Sequence, residues 1–472
     1  MTMQQDDTLD RWPENAPSTP ADDAQLLEIE LTDLAHGGDA VGRYQGRAVF
    51  VPGGLPGELV RARLTQERNN YARAALLEVL RPSPDRVPPR YPELAESGGF
   101  QWQHIAYPAQ VLWKTRIVRQ LLMRIGKFAN PPVEPTIGMP ADVDPWRYRT
   151  VAQFAIAPDG AIGFRRTSSH DVLDMPECPI VHPELDAIYQ AVREWMQTHW
   201  GANANAYAER FTLRVAVNTP RHLHSTGIAG LLTIEARPGS EFDGEDDPRD
   251  VGQSLLEAVP DLVGVVILGL PGGRGRVVVG QDYVFDQVLD RTFRISAGSF
   301  FQINVAQTPT LVRQAMTAAQ PRPNDRALDG YSGVGLFSLF LAEHVYHVQA
   351  VESQPSAVSD ARTSMALNGI TNITIIEGML DRVLGTLHRQ GTRVDVALVD
   401  PPRAGCHPRA LTELKQMAPR TLVYVSCDPS TLARDLQQFC ADGYQLVSVQ
   451  PLDMFPFTAH IECVAVCERV RP

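Results

Sequence analysis

At 472 residues, 44% of them hydrophobic, the chain has room for about three domains. No apolar run approaches the ~18 residues of a membrane helix, and residues 1–23 are acidic and proline-bearing, unlike the basic-then-apolar layout of a secretory leader. The net charge of −12 does not exclude nucleic acid: residues 1–23 and 241–250 each hold six acids and one Arg, whereas residues 61–90 hold seven Arg against three acids, and a phosphate backbone feels charge only within a Debye length.

Residues 1–23 read as a disordered acidic tail. Residues 24–82 follow as short strands at 26–31, 47–51, 58–64 and 71–80, broken by Gly37-Gly38 and by the Pro52–Gly57 turn, which predicts a small β-barrel. Arg61, Arg63, Arg68, Tyr71 and Arg73 gather around one predicted hairpin, where cations and a ring can meet phosphates and bases. A solvated Arg-rich hairpin accounts for the same residues. A proline-rich linker over 81–92 leads into a helix over 110–127, with Val111, Ile117, Leu121 and Leu122 on one face. Residues 83–292 form a linker and a mixed α+β middle domain. From 293 to 472, apolar strands end near Asp329, Glu352, Ile376, Asp400 and Cys427, about 25 residues apart with helical patterns between them. That rhythm predicts βαβ units and a parallel, doubly wound sheet, so the fold class is α/β with a Rossmann-like C-terminal domain.

Chemistry concentrates on the strand ends. Cys427 closes an apolar strand and precedes the helix start Pro429-Ser430-Thr431, a position where a helix dipole lowers thiol pKa. A small buried hydrophobe is the commoner role of such a cysteine. Tyr331-Ser332-Gly333-Val334-Gly335 makes a glycine turn at the first strand end, and Glu352 closes the second, where a carboxylate can accept two ribose hydroxyls. Ser338 stands where a third glycine would complete a dinucleotide fingerprint, so an adenosyl ligand without pyrophosphate fits better. Two prolines after Asp400 hold its carboxylate at the sheet edge. Glu462 enters an otherwise apolar final strand, which points to a purpose beyond packing. Six cysteines (178, 406, 427, 440, 463, 467) without regular spacing suit free thiols in a reducing cytoplasm.

Together the segments Ser299-Phe300-Phe301-Gln302-Ile303-Asn304, Asp400-Pro401-Pro402-Arg403, Val425-Ser426-Cys427-Asp428-Pro429 and Met454-Phe455-Pro456 through Glu462 resemble the RNA uracil-5-methyltransferase family. The N-terminal barrel resembles the TRAM domain of its ribosomal-RNA branch. The resemblance implies S-adenosylmethionine as cofactor, Cys427 as nucleophile and Glu462 as general base. Gln302, Tyr331, Gly333, Gly335, Glu352 and Asp400 then line the cofactor pocket, with Asp400 and Phe300 on the uracil side. Arg61, Arg63, Tyr71 and Arg73 contact RNA, ribosomal RNA first and transfer RNA second, in a cytoplasmic monomer. Many family members bind an iron–sulfur cluster through four cysteines; here the matching positions are Tyr91, Ser97, Phe100 and Cys178, so no cluster and no other metal is expected. Met379, Asp428 and Phe457 also depart from the family pattern. The rivals are a transfer-RNA or cytosine-5 enzyme, an amino-methyltransferase using the Asp-Pro-Pro turn, and a non-catalytic RNA-binding protein.

Overall fold

The computed structural model describes residues 25–167, 169–240, 242, 247–270 and 275–470. The predicted acidic tail, and half of the acidic loop at 241–250, lie outside the described residues. The described residues divide into two compact units, 25–35 with 39–86, and 36–38 with those from 87 to 470.

The first unit is a closed five-stranded barrel of β1 (Leu26–Leu34), β2 (Ala40–Tyr44), β3 (Arg47–Val51), β4 (Leu59–Glu67) and β5 (Tyr71–Arg81), in the order β1-β2-β3-β5-β4. Alternation along β1 and β4 turns Leu27, Ile29, Leu31, Val60 and Ala62 inward. Closure leaves no free sheet edge. The outward Arg61 is held between Glu28 (3.1 Å) and Glu78 (2.5 Å), and Arg73 lies 3.1 Å from Asp39. Tyr71 meets Phe50 edge-on at 5.8 Å. Arg63 and Arg68 are exposed and carry no ion pair among the described residues. The cationic hairpin is therefore partly neutralised within its own barrel.

The second unit opens with α1 (Tyr107–Arg124), which starts three residues before the predicted helix because Pro108 suits the first helical turn. A seven-stranded sheet follows, built from β6 (Val151–Ile156), β7 (Ile162–Arg165), β8 (Val172–Asp174), β9 (Ala208–Ala216), β10 (Ala229–Ala236), β11 (Leu262–Leu268) and β12 (Val277–Gly280). The helices α2 (Pro183–His199), α3 (Ala204–Tyr207) and α4 (Pro248–Ala258) pack on it. A hairpin of β13 (Tyr283–Val288) and β14 (Arg291–Ser296) leads to the last sheet.

That sheet runs β15 (Arg326–Gly330), β16 (His347–Glu352), β17 (Ile373–Glu377), β18 (Val396–Val399), β19 (Thr421–Ser426), β20 (Tyr444–Leu452) and β21 (Glu462–Arg469) in the order β17-β16-β15-β18-β19-β21-β20. The first five are mutually parallel, and β21 is antiparallel to both its neighbours. Every residue of β18 and β19 is buried, as expected for strands covered on both faces. Connecting helices are α5 (Thr308–Ala319), α6 (Leu336–Leu341), α7 (Pro355–Leu367), α8 (Leu380–Arg389), α9 (Pro408–Met417) and α10 (Pro429–Phe439). Strand order reverses between β15 and β18, the crevice where ligands of open α/β sheets bind.

Candidate active site

Three titratable side chains meet at this crevice edge. Asp400 follows β18 and Cys427 follows β19, two parallel neighbours. Because β21 runs the other way and pairs Cys463 with Ser426, its first residue, Glu462, comes opposite Cys427. Glu462 is only 3% exposed, so it is no solvent-facing strand end. Burial, then the neighbouring Asp400 charge, hold its carboxyl well above the usual range, against the pull of Arg403. Burial likewise pushes Asp400 up to about 7.

The thiol of Cys427 differs from expectation. Its place before α10 predicts a lowered pKa, yet burial and then the charges of Glu462, Asp400 and Asp428 push it up to about 12. Burial, reinforced by three neighbouring acids, outweighs one helix dipole. Arg403 is the cation that works against them. Asp428 has a second task as N-cap of α10, accepting from the Ser430 and Thr431 amides at 2.8 and 3.0 Å. His460 is kept neutral, its pKa pushed down to about 3 by burial and then by Arg403, Lys114 and Arg149.

The loop that delivers Glu462 is fixed from α1. Gln110 accepts from the Phe457 amide at 2.9 Å, and the buried Lys114 donates to Asp453 (2.6 Å) and to the Phe455 carbonyl (3.0 Å). Phe457 takes a left-handed φ of 62° and stacks on Trp146 at 3.9 Å. Asn304 bonds the Met454 carbonyl at 3.0 Å, tying the Ser299–Asn304 motif to the same loop. Ser299 is itself held by Asp360 (2.6 Å) and, through its carbonyl, by Arg214 (2.9 Å). This anchoring leaves Phe300 68% exposed. The nearly buried Gln302 amide makes no hydrogen bond among the described residues.

The glycine turn has the features of a cofactor cradle. Glu352 accepts from the amides of Gly333 (2.9 Å), Ser353 (2.6 Å) and Gln354 (2.7 Å), so it fastens the turn to the end of β16. Gly333 and Gly335 have φ of 54° and 90°, and the space over Gly333 is open, whereas a Cβ on Gly335 would press on Leu339. Tyr331 also adopts a left-handed φ, 62°. Beneath the turn the fully buried Asp329 accepts from Ser338 at 2.5 Å, and its other oxygen and the Ser332 hydroxyl have no partner among the described residues. Burial pushes Asp329 up to about 7. These open polar atoms fit an adenosyl cofactor carrying an amine and hydroxyls. Met379, 54% exposed, caps α8 just beyond β17.

Around Tyr91 to Phe100 the donors do not fit a four-thiolate cluster. Tyr91 and Phe100 pack on Trp146 at 5.3 and 6.1 Å, and Phe100 shares the middle-domain core with Cys178. Among the described residues no group of three or more His, Cys, Asp or Glu side chains is placed to hold a metal. A cavity of about 290 Å³ is lined by Gln153, Phe164, Arg149, Arg165 and Arg210, and its Arg149 forms a β-bridge with Asn304 of the Ser299–Asn304 motif.

A family model described as tRNA (uracil-5-)-methyltransferase matches residues 253–470, and a TRAM domain model matches residues 24–77. An uncharacterized RNA methyltransferase of Halalkalibacterium halodurans is 37% identical, over 95% of this chain and 98% of its own length. The chain belongs to the RNA uracil-5-methyltransferase family. A second relative of this family, an uncharacterized RNA methyltransferase of Gloeobacter violaceus, is 35% identical over 94% of this chain and 97% of its own. Among solved structures, the tRNA (uracil-54, C5)-methyltransferase of Pyrococcus abyssi, in complex with S-adenosyl-L-homocysteine, superposes with a TM-score of 0.69, covering 93% of this chain and 100% of that one at 24% identity. That likeness supports the fold.

Sequence reasoning left Arg403, Asp329, Lys114 and Gln110 without roles. Arg403 stood inside a quoted motif, so its charge was legible. The other three act through burial, which the sequence alone does not display.

Proposed function

We propose that this uracil-5-methyltransferase methylates carbon 5 of a uridine in structured RNA, large-subunit ribosomal RNA first, through a covalent adduct on Cys427. The observation that carries the reading is the convergence of Cys427, Glu462 and Asp400 on one sheet edge, beside the Glu352-fastened glycine turn. Bound S-adenosylmethionine supplies the methyl group. Asp400 accepts the uracil ring N–H and orients the base. Cys427 sulfur bonds to carbon 6, which turns carbon 5 into a nucleophile. Burial pushes the thiol up to about 12, so its proton passes to water as the sulfur adds to carbon 6, and Arg403 offsets the charge that develops on the uracil oxygen. After methyl transfer Glu462 takes the carbon 5 proton, and the carbon–sulfur bond breaks to regenerate Cys427. The buried site requires the uridine to leave its stack, with the exposed Phe300 ring ready to meet a base.

The arginine-lined cavity beside the motif and the TRAM barrel support an RNA partner; the barrel favours the ribosomal branch. Mass spectrometry of RNA digests from a strain lacking this gene tests the assignment. One 5-methyluridine in large-subunit RNA should vanish and return on complementation. Unchanged 5-methyluridine in ribosomal RNA, with loss in transfer RNA, would move the substrate; no loss in either would end the proposal.

A further inference from the structure

Far from the reactive edge, the opposite ends of the same two elements bring a second pair of cysteines together. Cys440 caps the C-terminus of α10 and is partly exposed, while Cys467 lies fully buried on β21. Their sulfurs are 3.5 Å apart. Lys415, whose ammonium donates to the Gln438 carbonyl at 3.2 Å, brings positive charge to the last turn of α10. Of the six free cysteines, Cys178, Cys406 and Cys463 are buried, and burial pushes the thiols of all three up. An accessible thiol with a cation beside it and a second sulfur in reach is the arrangement of a reactive cysteine and its resolving partner.

We propose that Cys440 and Cys467 form an oxidation site, which a hydroperoxide closes into a disulfide while Cys427 stays reduced. The Cys440 thiolate attacks the peroxide; its O–O bond breaks and, with hydrogen peroxide, one water leaves. The sulfenic acid so formed is attacked by the Cys467 sulfur; the S–O bond breaks, the S–S bond forms, and a second water carries off the proton. Two thiols lose two electrons in all, and one peroxide becomes two waters. The bond ties the end of α10 to β21 without touching the ends that carry Cys427 and Glu462. Burial and then the neighbouring acids keep the Cys427 thiol protonated, and this directs peroxide to Cys440.

The test treats the full-length protein at neutral pH with one equivalent of hydrogen peroxide, then alkylates free thiols under denaturing conditions and maps unreduced peptides. The result expected is a cross-link between the Cys440 and Cys467 peptides, reversed by dithiothreitol, with Cys427 alkylated as in the untreated protein and oxidised about tenfold more slowly than Cys440 or slower still. Cys467→Ser should leave a sulfenic acid on Cys440 that dimedone captures. Cys440→Ser should give no cross-link and leave Cys467 reduced. Oxidation of Cys427 ahead of Cys440, a disulfide between any other pair, or no cross-link at several equivalents of peroxide would overturn the proposal.

Discussion

Replacing Lys114 by Met tests whether the loop bearing Glu462 is held electrostatically from α1. Lys114 and Asp453 are both fully buried and 2.6 Å apart, and the other Asp453 oxygen has no hydrogen-bond partner among the described residues. Removing the ammonium leaves a buried carboxylate without its counter-charge and takes one donor from the Phe455 carbonyl, which keeps the Thr458 hydroxyl at 2.8 Å. Breaking one side of such a pair costs about 3–5 kcal/mol, or roughly two to four orders of magnitude in the unfolding equilibrium. Replacing both partners, Lys114→Met with Asp453→Leu, removes both charges and should recover most of that loss, since an apolar pair of similar volume often matches a buried ion pair. Urea unfolding followed by circular dichroism measures the double-mutant cycle. A single Lys114→Met variant within about 1 kcal/mol of the parent, or a double variant no better than the single, would refute the reasoning.

Three other outcomes follow from the same geometry. Glu352→Ala should weaken S-adenosylmethionine binding by roughly ten- to a hundred-fold, because two ribose hydroxyls lose their acceptor and the Gly333 amide loses its anchor; unchanged affinity by calorimetry would misplace the cofactor. Alkylation of Cys427 in the free protein should accelerate about tenfold per pH unit from 7 to 10 without a plateau, since its pKa is near 12; a plateau near pH 8 would mean that the carboxylates do not act as described. Asp329 has a folded pKa raised to about 7, so its neutral form stabilises the fold at low pH and that contribution fades as pH rises through 7. Asp329→Asn should therefore flatten the fall in melting temperature between pH 5 and 8; an identical slope in both proteins would contradict this.

Much of the fold was legible because its strands are periodic. The alternating barrel strands and the apolar strands ending at Glu352 and Ser426 stand where their patterns predict. The strand β2 was missed, since Gly42 and Arg43 interrupt its short apolar run just after the Gly37-Gly38 turn. The burial of Glu462 was also legible, as an acid in an apolar strand. What the sequence misjudged was the Cys427 thiol, because the helix dipole is local in sequence while its burial and the neighbouring Glu462 and Asp400 come from distant strands. The Arg61 and Arg73 charges were likewise visible, but their partners Glu28, Glu78 and Asp39 are set by barrel register.

The covalent mechanism is tested most directly by comparing Cys427→Ala with Glu462→Gln on the modified RNA, using methyl-labelled S-adenosylmethionine and denaturing electrophoresis. Cys427→Ala should give neither methylation nor adduct, because nothing activates carbon 5. Glu462→Gln should accumulate a methylated RNA–protein complex that survives denaturation, and an RNA carrying 5-fluorouridine should trap the parent enzyme likewise. Substantial methylation by Cys427→Ala would contradict the account, and so would rapid turnover by Glu462→Gln without any trapped complex.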